Sequence, residues 1–161
     1  MRSTSRSGFT LIELLLVIGI IALLASIVIA AINPTKQLAD ARNAQRNSDA
    51  VTILNAVYQY SVDNNGALPS TLTGGVTWQV CNNTGNPSAV CYDDIVPSQS
   101  LADLKQALVP KYLVGIPHDP SIPDPTSASG TNYMIYKDQE TRRITVTAPA
   151  AENGLVINVT R

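Results

Sequence analysis

The chain has 161 residues, of which 45% are hydrophobic and 14% charged, and its formal net charge is −1. This length leaves room for one modest domain beside a membrane segment. Without Arg2 and Arg6 the balance is 9 basic to 12 acidic residues, or −3. Because nucleic-acid binding requires a concentrated basic surface, we expect no nucleic-acid partner.

The first predicted element is an apolar helix. Leu14 to Ile32 is a run of 19 residues without a charge. As a helix it would be about 28 Å long, close to the ~30 Å hydrocarbon core of a bilayer. Arg2 and Arg6 precede it, so the positive-inside rule predicts a cytoplasmic N-terminus and a C-terminal part beyond the membrane. Glu13 stands at the start of this segment, where an unpaired carboxylate costs a few kcal/mol.

Three interpretations of this segment compete. A secretory signal peptide has an apolar core of only about 7–15 residues, and although Val28-Ile29-Ala30 offers a cleavage site, the core here is longer and includes Glu13. A plain signal anchor fits the length but gives Glu13 no role. A third interpretation is needed in which the carboxylate of Glu13 has a binding partner.

That third interpretation comes from Gly8-Phe9-Thr10-Leu11-Ile12-Glu13-Leu14, which follows a short basic leader. This segment resembles the class III signal of type IV pilins and type II secretion pseudopilins. The resemblance implies that residues 1–8 are a leader, that a prepilin peptidase cleaves after Gly8, and that Phe9 becomes N-methylated. It also implies that Glu13 is the residue that directs assembly.

The implied role of Glu13 has a physical basis. Cleavage creates a cationic amine at a helix N-terminus, where the helix dipole disfavours positive charge. Glu13 lies one turn after Phe9 and could neutralise either its own terminus or that of a neighbouring subunit. Residues 9–32 would then be a transmembrane helix first and the core of a filament afterwards.

Asn33-Pro34 predicts a kink or break, because proline lacks an N–H and disfavours helical geometry at the residue before it. Residues 33–66 then follow a helical pattern up to the stop signal Asn65-Gly66. We expect an amphipathic helix whose apolar face includes Val51, Leu54 and Tyr58, with Ile53, Val57 and Ser61 beside it.

Residues 67–161 are predicted to form a globular domain. It begins with a loop from Leu68 to about Pro97, which holds Trp78, Cys81 and Cys91. In an exported protein this cysteine pair indicates a disulfide, and two free thiols are the alternative.

Ser100–Leu108 is expected to be a short helix, followed by a proline-rich loop. Three β-like runs come next, at Asn132–Lys137, Arg143–Ala148 and Leu155–Val159. Short connections favour an antiparallel three-stranded sheet. The predicted fold is therefore α+β and has the order of the pilin fold, a long N-terminal helix packed on a small sheet domain. The stretches "YLVGIPHDP" and "NYMIYKD" also resemble the globular region of major pseudopilins.

Catalytic chemistry is not indicated by any motif. His118, the single histidine, lies between prolines and is interpreted as a turn residue. No phosphate loop, nucleophile elbow or zinc pattern is present, so an enzyme and a cofactor are not expected. Weak candidates for a calcium site, which the resemblance suggests, are Asp119, Asp124, Asp138 and Glu140, but they do not follow the family's calcium-loop pattern.

The predicted function is that of a structural subunit of a type IV pilus or a type II secretion pseudopilus. A minor pilin or adhesin, binding through Trp78 or the cysteine loop, and a membrane-anchored enzyme are the alternatives. The implied partners are further copies of the chain, the prepilin peptidase, and an inner-membrane assembly platform with its ATPase. The protein would be a single-pass inner-membrane protein before assembly and a periplasmic or extracellular filament afterwards.

Overall fold

The computed structural model describes residues 8–72, 74–81, 100–123 and 130–161. They form two compact units, the first ending at Leu38 and the second comprising Ala39–Arg161. The elements, in chain order, are α1 (Leu11–Ala31), α2 (Pro34–Asp63), β1 (Thr77–Cys81), β2 (Ser100–Asp103), α3 (Lys105–Leu108), β3 (Gly130–Lys137), β4 (Ile144–Thr147) and β5 (Asn158–Thr160).

α1 is the long apolar helix that the sequence predicts. Its described side chains are all exposed. Within it, Leu11–Ile29 has a mean hydropathy of 3.0 and is the one span in the described ranges that is long and apolar enough to cross a membrane. A helix that is apolar on every face needs lipid or other protein around it, because water does not solvate such a surface favourably.

The helical hydrogen-bond ladder stops at Ile32, whose N–H donates to the carbonyl of Val28. Asn33 then starts α2, since its side-chain oxygen accepts a hydrogen bond from the N–H of Lys36 at 3.2 Å. Pro34 occupies the first helical position, where its missing N–H has no cost. The Asn-Pro pair therefore ends one helix and begins the next.

α2 is amphipathic, and its buried face is centred on Ile53 and Val57, which the sequence places beside the predicted face. Leu54 is buried as expected, whereas Val51 is 37% exposed and Tyr58 is only partly buried. The buried apolar positions of this helix are Ala39, Ala50, Ile53, Leu54, Ala56 and Val57. The helix ends at Asp63, and Asn65 and Gly66 adopt positive φ values of 53° and 86°, as is common after a helix C-terminus.

The sheet has five strands in the order β2-β1-β3-β4-β5. The predicted antiparallel three-stranded part is confirmed in β3, β4 and β5, where Ile135 pairs with Val146 and Val146 with Val159. β1 lies antiparallel to β3 and parallel to β2, so the sheet is mixed. The sequence predicts three strands, whereas the sheet has five.

Both additional strands lie where the sequence predicted something else. Thr77–Cys81 falls in the expected loop, and Ser100–Asp103 in the first half of the expected helix Ser100–Leu108. Only Lys105–Leu108 is helical. The spacing of the leucines favours a helix locally, but pairing with β1 decides the conformation, which illustrates how tertiary context overrides a short local pattern.

The core of the second unit lies between α2 and the sheet. Its buried side chains come from α2, α3, β1 to β4 and the segments next to α3 and β4. They include Ile53, Leu54, Val57, Val80, Leu104, Leu108, Tyr133, Ile135, Ile144, Val146 and Ile157. This unit thus has a closed apolar core of its own, unlike α1.

Candidate functional site

The start of α1 is the first candidate site. Thr10 is the N-cap residue, and its hydroxyl accepts a hydrogen bond from the N–H of Glu13 at 3.3 Å. The carboxylate of Glu13 reaches back and accepts bonds from the N–H and the hydroxyl of Thr10, both at 2.8 Å. This is a capping box, which satisfies backbone donors that the first helical turn leaves free.

The capping box gives Glu13 a local partner in the uncleaved chain. Its carboxylate is held at the helix N-terminus, beside the position where cleavage after Gly8 would create the amine of Phe9. Phe9 itself is 85% exposed. Both bonds from Thr10 end on the same carboxylate oxygen, Oε2. Because a carboxylate has two acceptor oxygens, the box leaves Glu13 with capacity for a cationic donor.

Gly8 is not required by the packing of this chain. A Cβ placed on it would meet nothing within 4 Å, and its φ does not lie in the left-handed region. Glycines are usually demanded by a close approach or by a backbone conformation that other residues avoid. Neither applies among the described residues, so the described structure gives no reason for glycine at this position.

The second candidate site is a cluster of charged groups on α2. The guanidinium of Arg46 donates to both carboxylate oxygens of Asp119, at 2.7 and 3.1 Å, and both side chains are fully buried. It also donates to Glu152 at 3.0 Å. Arg42 forms a second ion pair with Glu152, with its Nε 2.7 Å from Oε1. Two cations therefore face two carboxylates, and the cluster is neutral.

Asn43 completes this ion-pair cluster (Arg42, Asn43, Arg46, Asp119 and Glu152). Its side chain donates to the backbone carbonyl of Glu152 and accepts from the backbone N–H of Glu152, both at 2.9 Å. The loops that carry Asp119 and Glu152 are thereby fixed to α2. Nearby, the hydroxyl of Tyr133 donates to Asp49 at 2.8 Å.

The cluster shifts the ionisation of its carboxyl groups. Hydrogen bonds from Arg42 and Arg46 lower the pKa of Glu152 to about 2. Burial opposes the ionisation of Asp119, but the bonds donated by Arg46 and Ser121 together hold its pKa below the usual range. Both groups are therefore charged at neutral pH, and their oxygens are occupied by donors. The cluster is suited to holding loops in place and not to proton transfer.

The predicted calcium candidates are not one site. Asp119 lies at the start of β3, where its N–H donates to Thr131, and its carboxylate is occupied by Arg46. Asp138 follows the other end of β3, about 23 Å away along the strand, and accepts a bond from the N–H of Glu140. Asp124 lies outside the described residues. Calcium ligands have to converge at 2.3–2.6 Å, and in the described ranges no group of three or more His, Cys, Asp or Glu side chains does so.

The remaining sequence-derived candidates lie apart from one another. Cys81 is buried at the end of β1, while Cys91 lies outside the described residues, so their disulfide stays a prediction. Trp78 is half-buried in β1 and packs against the core. His118 is also half-buried, its Nε2 has no partner in the described structure, and burial lowers its pKa.

Sequence reasoning overlooked the roles of Thr10 and of the ion-pair cluster. The Thr-x-x-Glu spacing of Thr10 and Glu13 is itself a capping-box signature. Arg46 shares the helical face of Ala50, Ile53 and Val57, and a cation on such a face indicates a buried partner. The identity of that partner is not visible in the sequence, because Asp119 and Glu152 are 73 and 106 residues away.

Comparisons with known proteins agree with the site at α1. Residues 3–29 match the family model described as the prokaryotic N-terminal methylation motif. The chain is 42% identical over 65 residues to the type II secretion system core protein G of Aeromonas hydrophila, and 43% identical over 65 residues to that of Escherichia coli strain K12. Each alignment covers 40% of this chain and 44% and 43% of the two relatives, so it spans less than half of their length.

No solved structure matches the chain significantly. The methylation motif nevertheless coincides with the residues that place Gly8, Phe9, Thr10 and Glu13 at the start of an exposed apolar helix. The chain therefore carries the N-terminal methylation motif of prepilins and is homologous to type II secretion core protein G, which confirms its resemblance to the pilin and pseudopilin family.

Proposed function

We propose that this protein is a structural subunit of a type IV pilus or a type II secretion pseudopilus, and that it polymerises through α1. The observation that carries the proposal is the combination at one helix end of an exposed Gly8–Phe9 bond, a carboxylate at Glu13 and an apolar helix long enough to span a bilayer. The two relatives named above are core proteins of a type II secretion system.

In this proposal the prepilin peptidase cleaves after Gly8 and methylates Phe9. The new amine lies next to Thr10, and Glu13 keeps its bonds with Thr10 while its other carboxylate oxygen forms an ion pair with the amine of a neighbouring subunit. In an apolar bundle such pairing is the least costly way to keep either charge. The side chains of α1 leave lipid and become packed against those of other copies.

The proposed partners are further copies of the chain, the peptidase, and an inner-membrane assembly platform with its ATPase. The second unit lies beyond the membrane before assembly and on the filament surface afterwards. We propose a structural role in preference to catalysis, since the carboxylates of the ion-pair cluster are occupied by their own donors. We propose no resident metal or cofactor.

The experiment that tests this function is the intact mass and N-terminal peptide of the protein from its cell envelope. A chain that begins at Phe9 and carries one additional methyl group is the expected result. A chain that begins at Ala31 would make it a secreted protein, and an uncut N-terminus would make it an anchored one. Either outcome overturns the proposal.

Two glycine variants sharpen this test. A Cβ added at Gly8 or at Gly19 would meet no atom within 4 Å, so alanine at either position is compatible with the fold. We expect Gly8→Ala to leave most of the chain uncut, while Gly19→Ala is cleaved like the wild type. Equal cleavage of the two variants would show that the peptide bond after Gly8 is not the processing site.

A further inference from the structure

The loop between β4 and β5 presents two apolar side chains to solvent. Leu155 is 53% exposed and Val156 is 78% exposed, and we call this pair the apolar tip. The loop around it is held firmly. Glu152 is bonded to α2, Asn153 donates to Asp40 at 2.8 Å, and the N–H of Leu155 donates to the carbonyl of Glu152. Because the loop is held in place, these two apolar side chains stay exposed to water, which is unfavourable unless another molecule covers them.

A groove of about 600 Å³ lies elsewhere on the same unit. Its lining combines apolar and polar side chains, and Val62 within it is 79% exposed. Arg161 lies over the ring of Tyr58, 5.8 Å from the centroid, and donates to Asn55 at 3.2 Å. The groove is lined by Asn55, Tyr58, Gln59, Val62, Asp63 and Arg161.

The tip and the groove lie near opposite ends of the part of α2 that packs on the sheet. The loop of the tip is attached at Asn43, and the groove is centred on Tyr58. Fifteen helical residues separate these two positions, which corresponds to about 22 Å. The tip itself precedes β5 and Arg161 of the groove follows β5, so the two surfaces lie at opposite ends of that strand and do not meet within one chain.

Charge also favours a match between the two surfaces. Asp40 is exposed beside the tip, and Arg161 borders the groove. Neither residue forms an ion pair within the described part of the chain, whereas Asp63 in the groove is already paired with Lys111 at 2.7 Å. A copy that inserts its tip into the groove of another copy brings an acidic side chain towards a basic one.

We infer that the groove of one copy receives the apolar tip of a second copy. The two surfaces differ, so the contact is heterologous and can repeat from copy to copy without closing. This inference rests on the proposed function, because it assigns a second, specific contact to the same polymer. The N-terminal helices would supply most of the buried area, and this contact would fix the register of the globular units.

Cysteine cross-linking in filaments of the full chain tests the contact. One chain carries Val156→Cys and a second carries Val62→Cys, and both are produced in the same cells. We expect a disulfide-linked dimer after mild oxidation of the sheared filaments, and no dimer when either variant is present alone. A single chain with both substitutions should give a ladder of multimers.

Ser48→Cys is the matched control for Val62→Cys. It is also exposed on α2 but lies about 20 Å away along the helix, so it should not cross-link to Val156→Cys. Dimers formed by Val156→Cys alone, a cross-link to Ser48→Cys, or filaments without any cross-link to Val62→Cys would each overturn the inference. These three results leave the proposed function intact, whereas a failure of the unmodified chain to form filaments overturns both.

Charge reversal provides an independent measurement. Asp40→Lys or Arg161→Glu should each reduce the yield of the cross-link by about two- to fivefold, as expected for a surface ion pair. The double variant should recover most of that yield, because the two charges are exchanged. If the cross-link yield of the double variant is as low as that of either single variant, the pairing of tip and groove is contradicted.

Discussion

The two units of this protein differ in whether their apolar side chains are buried. In the second unit α2 and the sheet enclose a core, and its charged residues at buried positions are paired with one another. In the first, α1 exposes its described apolar side chains on every face, and within the described residues its acidic residue is bonded to the neighbouring Thr10. The described core of the second unit is closed within one chain, whereas the apolar side chains of α1 have no cover in the described structure.

The largest effect is expected from removing the charge of Glu13. Glu13→Gln keeps an acceptor for Thr10 but cannot pair with an amine, while Glu13→Ala loses both interactions. We expect processed protein in the membrane and at least a tenfold loss of filaments for both variants, since an unpaired charge in an apolar bundle costs a few kcal/mol. The measurement is the amount of subunit in sheared filaments relative to the membrane. Normal filaments from Glu13→Gln would mean that capping, and not charge, is what assembly requires.

The second unit should be most sensitive to Arg46. Arg46→Ala leaves Asp119 buried without its counter-charge, which we expect to lower the free energy of unfolding by about 3–5 kcal/mol. Arg42→Ala is the matched control, because Arg42 pairs with Glu152 but is partly exposed, and its loss should lower the free energy of unfolding much less than the loss of Arg46. Denaturant unfolding of the full chain in detergent can be followed by the fluorescence of Trp78. Equal losses for the two variants would show that burial does not set the strength of the cluster.

Acid should weaken the second unit. Because the pKa of Glu152 is lowered to about 2, its contribution to stability is complete above pH 4.5 and is lost as the pH falls towards 2. Asp119 acts in the same direction, and Asp49, whose pKa is raised by burial, opposes it. Glu152→Gln should therefore show a shallower loss of stability between pH 4.5 and 2. A slope identical to that of the wild type would exclude Glu152 as a cause of acid unfolding.

The smallest effect is expected at the start of α1. Thr10→Val keeps the shape of the side chain but removes the hydroxyl of the capping box, at a cost of about 1 kcal/mol. In micelles this should accelerate hydrogen exchange of the Glu13 amide by about fivefold, whereas Thr10→Ser should leave it nearly unchanged. Unchanged exchange in Thr10→Val would show that the backbone alone holds the first turn.

Local signals allowed α1, the change of helix at Asn33 and strands β3 to β5 to be predicted. Each depends on neighbouring residues, such as the apolar run after Glu13 or the alternation around Ile144 and Val146. Strand β2 was missed because the pattern of Ser100–Leu108 favours a helix, and only its partner β1 makes its first half extended. The ion-pair cluster was missed for a related reason, since the sequence does not reveal which distant carboxylate Arg46 meets.

The sequence separation between Arg46 and its partners also determines the order in which the parts of the protein can fold. α1 is synthesised first and needs no later residue to become helical. Arg46 follows soon after it, but Glu152 is synthesised 106 residues later. Until then the second unit lacks one of the counter-charges of a buried guanidinium and the strands that close its core. The core of the second unit can therefore close only after almost the whole chain has been synthesised.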